Sequence, residues 1–181
     1  MEKRYHIALS FATEDQELVE KVYHYLKAES LKVFFAPVQE CQKILSGRSQ
    51  REIFYEIFGL LSEYAALFVS KDYIRKEVPM EEAGIAFAKK GDKGKVIPVY
   101  LDETTLPEDM FDPKQTNYFK SRNPAQIAAH LAAKIKWMEA GEEDGTKRLT
   151  GMNDLGNAMY VTGTSAKKVV QINKNEGDIY L

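Results

Sequence analysis

The sequence predicts an α/β fold, a doubly wound parallel sheet of about five strands followed by a flexible C-terminal tail. Short apolar runs alternate with amphipathic segments of helical period, and parallel neighbouring strands require such return elements. The run Tyr64–Ser70 is almost uniformly apolar, as expected of a central strand covered by helices on both faces. Because 181 residues suffice for one domain and an appendage, we expect one domain with a tail.

The first two strands are predicted on either side of an amphipathic helix. Tyr5–Ser10 is a short, mainly apolar strand, and Thr13 with the acidic residues after it is typical of a helix start. Within Glu14–Ala28, apolar side chains recur at three- and four-residue steps, the pattern of a helix packed on a sheet. Leu31–Ala36 is the second strand, and Pro37 ends it because proline has no backbone donor.

A long connection is predicted from Pro37 through Gly47, before a helix near Ser49–Leu61. It is longer than the usual connection in an α/β domain, and long loops in compact domains are commonly functional. This segment is therefore a candidate functional loop.

The second half of the domain repeats the alternation. A helix is predicted from about Pro79 to Lys90, and a strand at Lys95–Leu101. Pro98 argues against full pairing on both sides, so this strand is expected near an edge or with a local irregularity. A weaker segment, Asn117–Lys120, is a candidate fifth strand.

The last helix and the tail differ in composition. Asn123 is expected to cap a helix that begins at Pro124 and stops at Gly141. The charged, glycine-interrupted stretch 141–166 is typical of a linker. Residues 167–181 carry β-branched and aromatic side chains around an Asn-rich turn, which favours strands.

Composition and charge exclude several classes of function. The net charge of -2 and the pI near 6.0 provide no long-range field, so neither nucleic acid nor a membrane is expected as a partner. No apolar stretch approaches the roughly 20 residues of a membrane span. The single Cys41 cannot form an internal disulfide, and the N-terminal segment lacks a signal-peptide core, so a cytoplasmic location is expected.

Common catalytic and cofactor motifs are absent from the sequence. There is no GxGxxG after a strand and no Walker sequence, which argues against a dehydrogenase or an NTPase. His6, His24 and His130 lie on separate predicted elements without metal-ligand spacing, so no metal or cofactor is expected. Cys41 lacks a Cys/His pairing pattern and is interpreted as a bystander.

Several stretches carry motifs in a consistent order on the expected elements. They are I-A-L-S-F-A-T-E-D (7–15), L-K-V-F-F-A-P with I-L-S-G-R-S (31–37 and 44–49), S-K-D-Y-I-R-K-E-V-P-M-E-E-A-G-I-A (70–86) and V-I-P-V-Y-L-D (96–102). Together they resemble the Toll/interleukin-1 receptor (TIR) domain family, of the soluble bacterial kind, over about residues 4–140. Val78 stands where the family usually has Trp, and Pro37 lies where an acidic residue is common.

The resemblance implies a flavodoxin-like TIR domain over residues 1–140, a linker over 141–166 and a candidate strand-forming assembly motif over 167–181. It also implies an NAD glycohydrolase or cyclase that cleaves the nicotinamide–ribose bond, with NAD as substrate rather than cofactor. Bacterial relatives of this type serve in antiphage or cell-suicide defence.

The resemblance places the catalytic carboxylate at Glu82, four residues after Val78. Cleavage develops oxocarbenium character at the ribose, and a fixed carboxylate can stabilise that charge or accept a proton from an attacking hydroxyl. Glu81 is the rival if the register differs by one residue. The alternative interpretation is that Glu82 only complements the helix dipole.

Substrate-binding candidates come from the strand ends and the long loop: Ser10, Phe11, Ala12, Lys43, Arg48, Ser70, Tyr73 and Val78. Phe11 could stack on a base or serve as a core aromatic. The loop cations could meet the pyrophosphate or remain solvated. The hydroxyls of Ser70 and Tyr73 could orient the carboxylate or form structural hydrogen bonds.

The expected partners are NAD, further copies of the chain and an upstream sensor protein. Family members commonly complete the active site with the loop after the second strand, here residues 37–49 and called the BB loop, of a neighbouring protomer. The alternative function is a non-enzymatic interaction module on the same scaffold. A receiver-like fold is disfavoured because the acidic residues that such a fold requires are missing from the sequence.

The C-terminal tail, residues 167–181, is a separate feature. It resembles amyloid-type signalling motifs.

Overall fold

The main sheet has five parallel strands in the order β2-β1-β3-β4-β5. The structure, a computed structural model, describes residues 3–112, 114, 118–143, 159–161, 169–172 and 179–180. The strands are β1 (Tyr5–Phe11), β2 (Val33–Phe34), β3 (Ser62–Val69), β4 (Val96–Tyr100) and β5 (Phe119–Lys120). β3 is the middle strand, which confirms the prediction made from its apolar sequence.

Five α-helices accompany the sheet: α1 (Gln16–Ala28), α2 (Gln39–Leu45), α3 (Gln50–Phe54), α4 (Glu77–Lys90) and α5 (Pro124–Glu143). A π-helical segment, Tyr55–Leu61, continues α3 up to β3. Short 3-10 turns precede α1 at Thr13–Asp15, precede α4 at Tyr73–Arg75 and follow α4 at Gly91–Lys93. The doubly wound α/β prediction is therefore confirmed.

Helices bury both faces of the sheet because strand side chains alternate in direction. Ile7 and Leu9 of β1 pack in one cluster with side chains of α1 and α5. Ala8 packs in a second cluster on the opposite face with the π-helical segment and α4. The central strand contributes alternately to both clusters, which explains its nearly continuous apolar sequence.

The connection after β2 is more ordered than the sequence indicated. It contains α2, whose buried Cys41 packs in the second cluster. The expectation of an irregular connection through Gly47 was therefore wrong, because a seven-residue helix offers too few periods to stand out in the sequence. Gly47 itself has φ +75, so it turns the chain where other residues would be strained.

Two helix boundaries also differ from the predictions. α4 begins at Glu77, two residues before Pro79, which proline permits in a first turn. α5 continues through Gly141 to Glu143, so the predicted stop was wrong and the glycine is simply included in the helix. At Pro98, β4 pairs with β3, while its pairing with β5 starts at Val99. β4 therefore lies next to the edge strand β5, which agrees with the position near an edge that Pro98 predicted.

The described C-terminal residues form a small antiparallel sheet of Met159–Val161, Val169–Ile172 and Ile179–Tyr180. The last two strands contain the predicted strand formers of 167–181. The predicted Asn-rich turn and most of the predicted linker lie outside the described residues. In the described part of the chain, no helix is both long and apolar enough to cross a membrane.

Candidate active site

The predicted site residues converge at the carboxyl edge of the sheet. Ser10 and Phe11 end β1, and Ser70 follows β3, its parallel neighbour. Parallel strands bring these ends to one edge, where open α/β sheets bind ligands. The first turns of α4 lie against the same edge, so Glu82 meets Ser10 across 72 positions of sequence.

Glu82 is turned into the protein and ends a chain of oxygen contacts. Its Oε2 lies 2.5 Å from Ser10 Oγ, which lies 2.7 Å from the Tyr73 hydroxyl. The Tyr73 hydroxyl is in turn 3.0 Å from the carbonyl oxygen of Pro79. Ser10 and Tyr73 are fully buried, whereas the contact between Ser10 and Glu82 is partly buried.

The surroundings of Glu82 favour its protonated form. The pKa of Glu82 is raised to about 8: burial is the main cause, the hydrogen bond from Ser10 opposes it, and the nearby charge of Glu81 adds to the rise. Burial and the neighbouring Glu82 also hold the pKa of Tyr73 well above its ordinary value. A carboxyl group that titrates near neutral pH is suited to acid–base work.

The two neighbouring glutamates of α4 occupy different environments. Glu81 forms an ion pair with Arg51 of α3, at 3.3 Å, and its side chain is 34% exposed. Glu82, in contrast, reaches a fully buried serine. Of the two candidates, only Glu82 has the inward orientation that the proposed role requires.

A second network holds the backbone of Tyr73. Ser70 Oγ donates to Asp15 Oδ2 at 2.6 Å and accepts a hydrogen bond from the backbone amide of Tyr73 at 3.2 Å. Burial raises the pKa of Asp15, while the Ser70 hydrogen bond opposes the rise. Ser70 therefore forms a structural hydrogen bond, one of the two roles considered for it. Asp15 ends the first motif, which is the signal that could have identified it.

An open cleft of about 450 Å³ lies beside Glu82 and is lined by Phe11, Thr13, Gln50, Lys76, Glu77, Val78 and Pro79. Phe11 is partly exposed and stacks on Phe35 with ring centroids 5.3 Å apart, so it is both a cleft wall and a core neighbour. Val78 is 36% exposed and lines the cleft as predicted. Glu82 itself is not among the lining residues.

Five lining residues were not among the sequence candidates: Thr13, Gln50, Lys76, Glu77 and Pro79. All except Gln50 lie within the motif stretches 7–15 and 70–86, which are the signal that could have identified them. Lys76 is a cation inside the cleft, and its ammonium group pairs with Glu14 at 2.5 Å. A phosphate entering the cleft would meet this lysine.

The remaining candidates lie away from the cleft lining. Arg48 makes a two-point contact with Glu56, at 2.9 and 2.6 Å, and Lys43 is exposed on α2. Ala12 is fully buried, and its carbonyl accepts from the amide of Asp15. Burial raises the pKa of the Cys41 thiol, which disfavours the reactive thiolate. Among the described residues, no group of three metal-ligating side chains is assembled.

A five-stranded doubly wound sheet with a cleft and an inward-turned carboxyl group at its carboxyl edge defines a doubly wound α/β domain, a class whose ligands bind at this edge. The chain belongs to the TIR domain family, whose model matches residues 7–135. This confirms the family that the sequence motifs indicated.

Among known proteins, the chain is similar to the 3' cyclic ADP-D-ribose synthase AaTIR of Aquimarina amphilecti. The two are 30% identical over 136 residues, which is 73% of this chain and 40% of that protein. The chain thus matches well under half of the relative's length.

Two solved structures share the fold. The TIR domain of the Toll-related receptor TRR-2 from Hydra magnipapillata has a TM-score of 0.57 and 15% identity, covering 73% of this chain and 98% of that one. A metazoan TIR-STING receptor from C. gigas, solved with 2',3'-cGAMP, has a TM-score of 0.51 and 15% identity, covering 85% and 49%. At this identity the likeness concerns the fold alone.

Proposed function

We propose that this chain is an NAD glycohydrolase or cyclase with Glu82 as its catalytic carboxylate. The observation that carries the proposal is the position of Glu82, which contacts Ser10 next to Phe11 of the cleft and follows Val78 and Pro79 by one helical turn. The similarity to a cyclic ADP-ribose synthase supports NAD as the substrate.

The proposed reaction begins with cleavage of the bond between ribose C1' and the nicotinamide nitrogen. The bonding electrons leave with nicotinamide, and C1' gains oxocarbenium character that the Glu82 carboxylate stabilises. Water, or a hydroxyl of the ADP-ribose itself, then attacks C1' and gives its proton to Glu82. Attack by water yields ADP-ribose, and internal attack yields a cyclic isomer.

The cleft supplies chemistry suited to this substrate. Phe11 offers an aromatic face for a nicotinamide or adenine ring. Lys76 offers a cation for the pyrophosphate if it exchanges Glu14 for substrate. Because Glu82 does not line the cleft, catalysis requires its carboxylate to turn toward bound NAD, and assembly with a second protomer is the proposed trigger.

The test is release of nicotinamide from NAD by the full chain over a range of protein concentrations. Glu82→Gln should reduce the rate by roughly a hundredfold or more, because general acid–base groups contribute at least this much. Glu81→Gln is the matched control and should stay within a few-fold of the wild type. Inactivity of assembled wild-type protein, or full activity of Glu82→Gln, would reject the proposal. Mass spectrometry of the products separates ADP-ribose from a cyclic isomer.

The second candidate is a non-enzymatic module that recruits partners or copies of itself through the BB loop and helix surfaces. Two observations favour it: Glu82 is not among the residues that line the cleft, and Val78 places an aliphatic side chain where the family usually has Trp. Self-association of a chain that never releases nicotinamide would support this candidate. For both candidate functions, the proposal includes a role in defence signalling, an upstream sensor protein and a cytoplasmic location.

A further inference from the structure

We propose that Ser10 and Tyr73 form a hydrogen-bond relay that couples the protonation of the inward Glu82 carboxyl group to Tyr73, and that gives up its last contact, to the Pro79 carbonyl, when Glu82 ionises. The proposal deepens the proposed function, on which its catalytic meaning rests. It assigns Ser10 and Tyr73 as positioning residues that control when Glu82 becomes a carboxylate.

The relay follows from counting protons along the chain of contacts. Three oxygen–oxygen contacts join Glu82 to Ser10, Ser10 to Tyr73, and Tyr73 to the Pro79 carbonyl, at 2.5, 2.7 and 3.0 Å. Each contact needs one proton, and the two hydroxyl groups supply only two. The third proton can come only from the carboxyl group of Glu82. All three contacts are therefore hydrogen bonds only when Glu82 is protonated.

Ionisation reverses the direction of the relay. With Glu82 protonated, Glu82 donates to Ser10, Ser10 donates to Tyr73, and Tyr73 donates to the Pro79 carbonyl. With Glu82 ionised, Ser10 must donate to the carboxylate, so Tyr73 donates to Ser10 and leaves the carbonyl. The hydroxyl of Tyr73 thus takes part in two hydrogen bonds in the first state and in one in the second.

The heavy atoms of the relay already lie at hydrogen-bonding distances, so the protons can rearrange without movement of the side chains. Ser10 and Tyr73 are fully buried, and water cannot replace a lost contact. The backbone amide of Tyr73 is held by Ser70, which in turn donates to Asp15. Pro79 and Glu82 belong to the same helix, so the relay connects a backbone carbonyl in the first turn of α4 to the Glu82 carboxyl group one turn later.

Several charged groups on the elements around α4 are engaged in other contacts, and Glu52 of α3 and Arg75 of the 3-10 turn are further charged groups on these elements. Glu81 of α4 pairs with Arg51 of α3. In the π-helical segment, Glu56 pairs with Arg48, and the Tyr55 ring lies 4.7 Å from the ammonium group of Lys89. The 3-10 turn contributes Tyr73 and β1 contributes Ser10. The relay is therefore the polar contact that responds most directly to the charge of Glu82.

The test is the pKa of Glu82, measured in the full chain by carbon-13 NMR of labelled glutamate carboxyl groups and assigned with Glu82→Gln. Tyr73→Phe should lower this pKa by roughly half to one unit, because the hydroxyl gives the protonated state one hydrogen bond more than the ionised state. In a Ser10→Ala background the same substitution should leave the pKa nearly unchanged, since Tyr73 then donates to Pro79 in both states.

Two matched controls remove buried hydroxyls elsewhere. Ser62→Ala alters a fully buried serine of β3, and Tyr100→Phe alters a buried tyrosine of β4. Neither should move the Glu82 titration. A further measurement uses the wild-type chain, with variants only for assigning signals. The NMR signal of the Tyr73 ring carbon bonded to the hydroxyl oxygen should shift with pH and show an inflection at the pKa of Glu82.

The relay is overturned if Tyr73→Phe gives the same pKa shift with and without Ser10, gives no shift or an upward shift, or if the wild-type Tyr73 signal lacks the inflection. These readouts do not depend on NAD. If the titrations behave as expected and the chain never cleaves NAD, the relay stands and the proposed function falls. If NAD is cleaved, the acidic limb of the kcat profile should move down with Tyr73→Phe by the same amount.

Discussion

At the residue scale, burial of Glu82 links stability to pH. The pKa of Glu82 is raised from its ordinary value of 4.5 to about 8. Between these two pH values the folded chain keeps the proton and the unfolded chain loses it. The unfolded state then binds fewer protons, so this group makes the free energy of unfolding fall as the pH rises through the window.

Replacing the acid with its neutral isostere should remove this dependence. Glu82→Gln is expected to match the wild type near pH 4.5 and to become progressively more stable than it up to pH 8, by roughly 1.4 kcal/mol for each unit of raised pKa. Urea unfolding of both proteins from pH 4.5 to 9 measures the difference. A gap that stays constant across this range would contradict the burial of an ionisable group at this position.

Val78 is the residue at which the cleft departs most clearly from the family pattern. It lines the cleft and is 36% exposed, so a larger side chain there meets solvent rather than the core. Val78→Trp should lower the KM for NAD by roughly two- to tenfold, the range of one aromatic contact. Tyr25→Trp, at an exposed site on α1, is the control. An unchanged KM would show that this wall of the cleft does not touch substrate.

At the element scale, the site depends on where helices begin. α4 starts at Glu77 immediately after the turn that carries Tyr73, so its first turns supply both Pro79 and Glu82 to the site. α5 instead serves the fold, because its apolar residues pack with α1 in the cluster on the opposite face of the sheet. The two helices can therefore be perturbed with different consequences.

The cap of α5 offers a test of stability that leaves the site intact. Asn123 Oδ1 accepts hydrogen bonds from the amides of Ala125 and Gln126, at 3.0 and 3.2 Å. Asn123→Ala should cost about 1 kcal/mol in the free energy of unfolding, whereas Asn123→Asp retains the acceptor and most of the stability. Urea midpoints measure both. Equal losses in the two variants would mean that capping is not the cause.

At the scale of the whole molecule, both apolar clusters of the described residues lie between Tyr5 and Met138. The sequence pattern of 167–181 predicts an assembly motif, which is a separate role from folding. Folding and assembly should therefore be separable by truncation.

A chain ending at Glu143 keeps α5 whole and should unfold within a few degrees of the full chain, since few buried contacts are lost. If the tail drives assembly, the shortened chain loses concentration-dependent association and, with it, nicotinamide release. Calorimetry, light scattering and the NAD assay follow the three quantities. Undiminished association and activity would remove the tail from the proposal.

Much of the fold could be predicted from local patterns. The apolar run of β3 and the spaced apolar residues of α1 were informative because a buried strand and a sheet-packed helix each impose a period on the sequence. α2 was missed, since a short helix leaves too few periods to recognise. The helix predicted near Ser49–Leu61 is present as α3 and the π-helical segment that continues it. Gly141 was predicted to end α5, but the helix continues through it to Glu143.

The candidate site was only partly predictable. A motif placed Glu82, and the parallel order of β1 and β3 placed Ser10 and Ser70 at the same edge. Gln50 lies outside the motifs, so its presence in the cleft follows only from the path of the chain. The pairing of Arg48 with Glu56 likewise depends on the conformation of the segment after α2.

The sequence by itself determined the α/β class, the central strand and the glutamate that is the candidate acid, because periodicity and motif are properties of neighbouring residues. Only the tertiary structure decided that Glu82 points inward to Ser10 and Tyr73, residues 72 and 9 positions away, and that its pKa is raised to about 8. Burial and proton sharing depend on every group around an atom, and those groups meet only when the chain is folded.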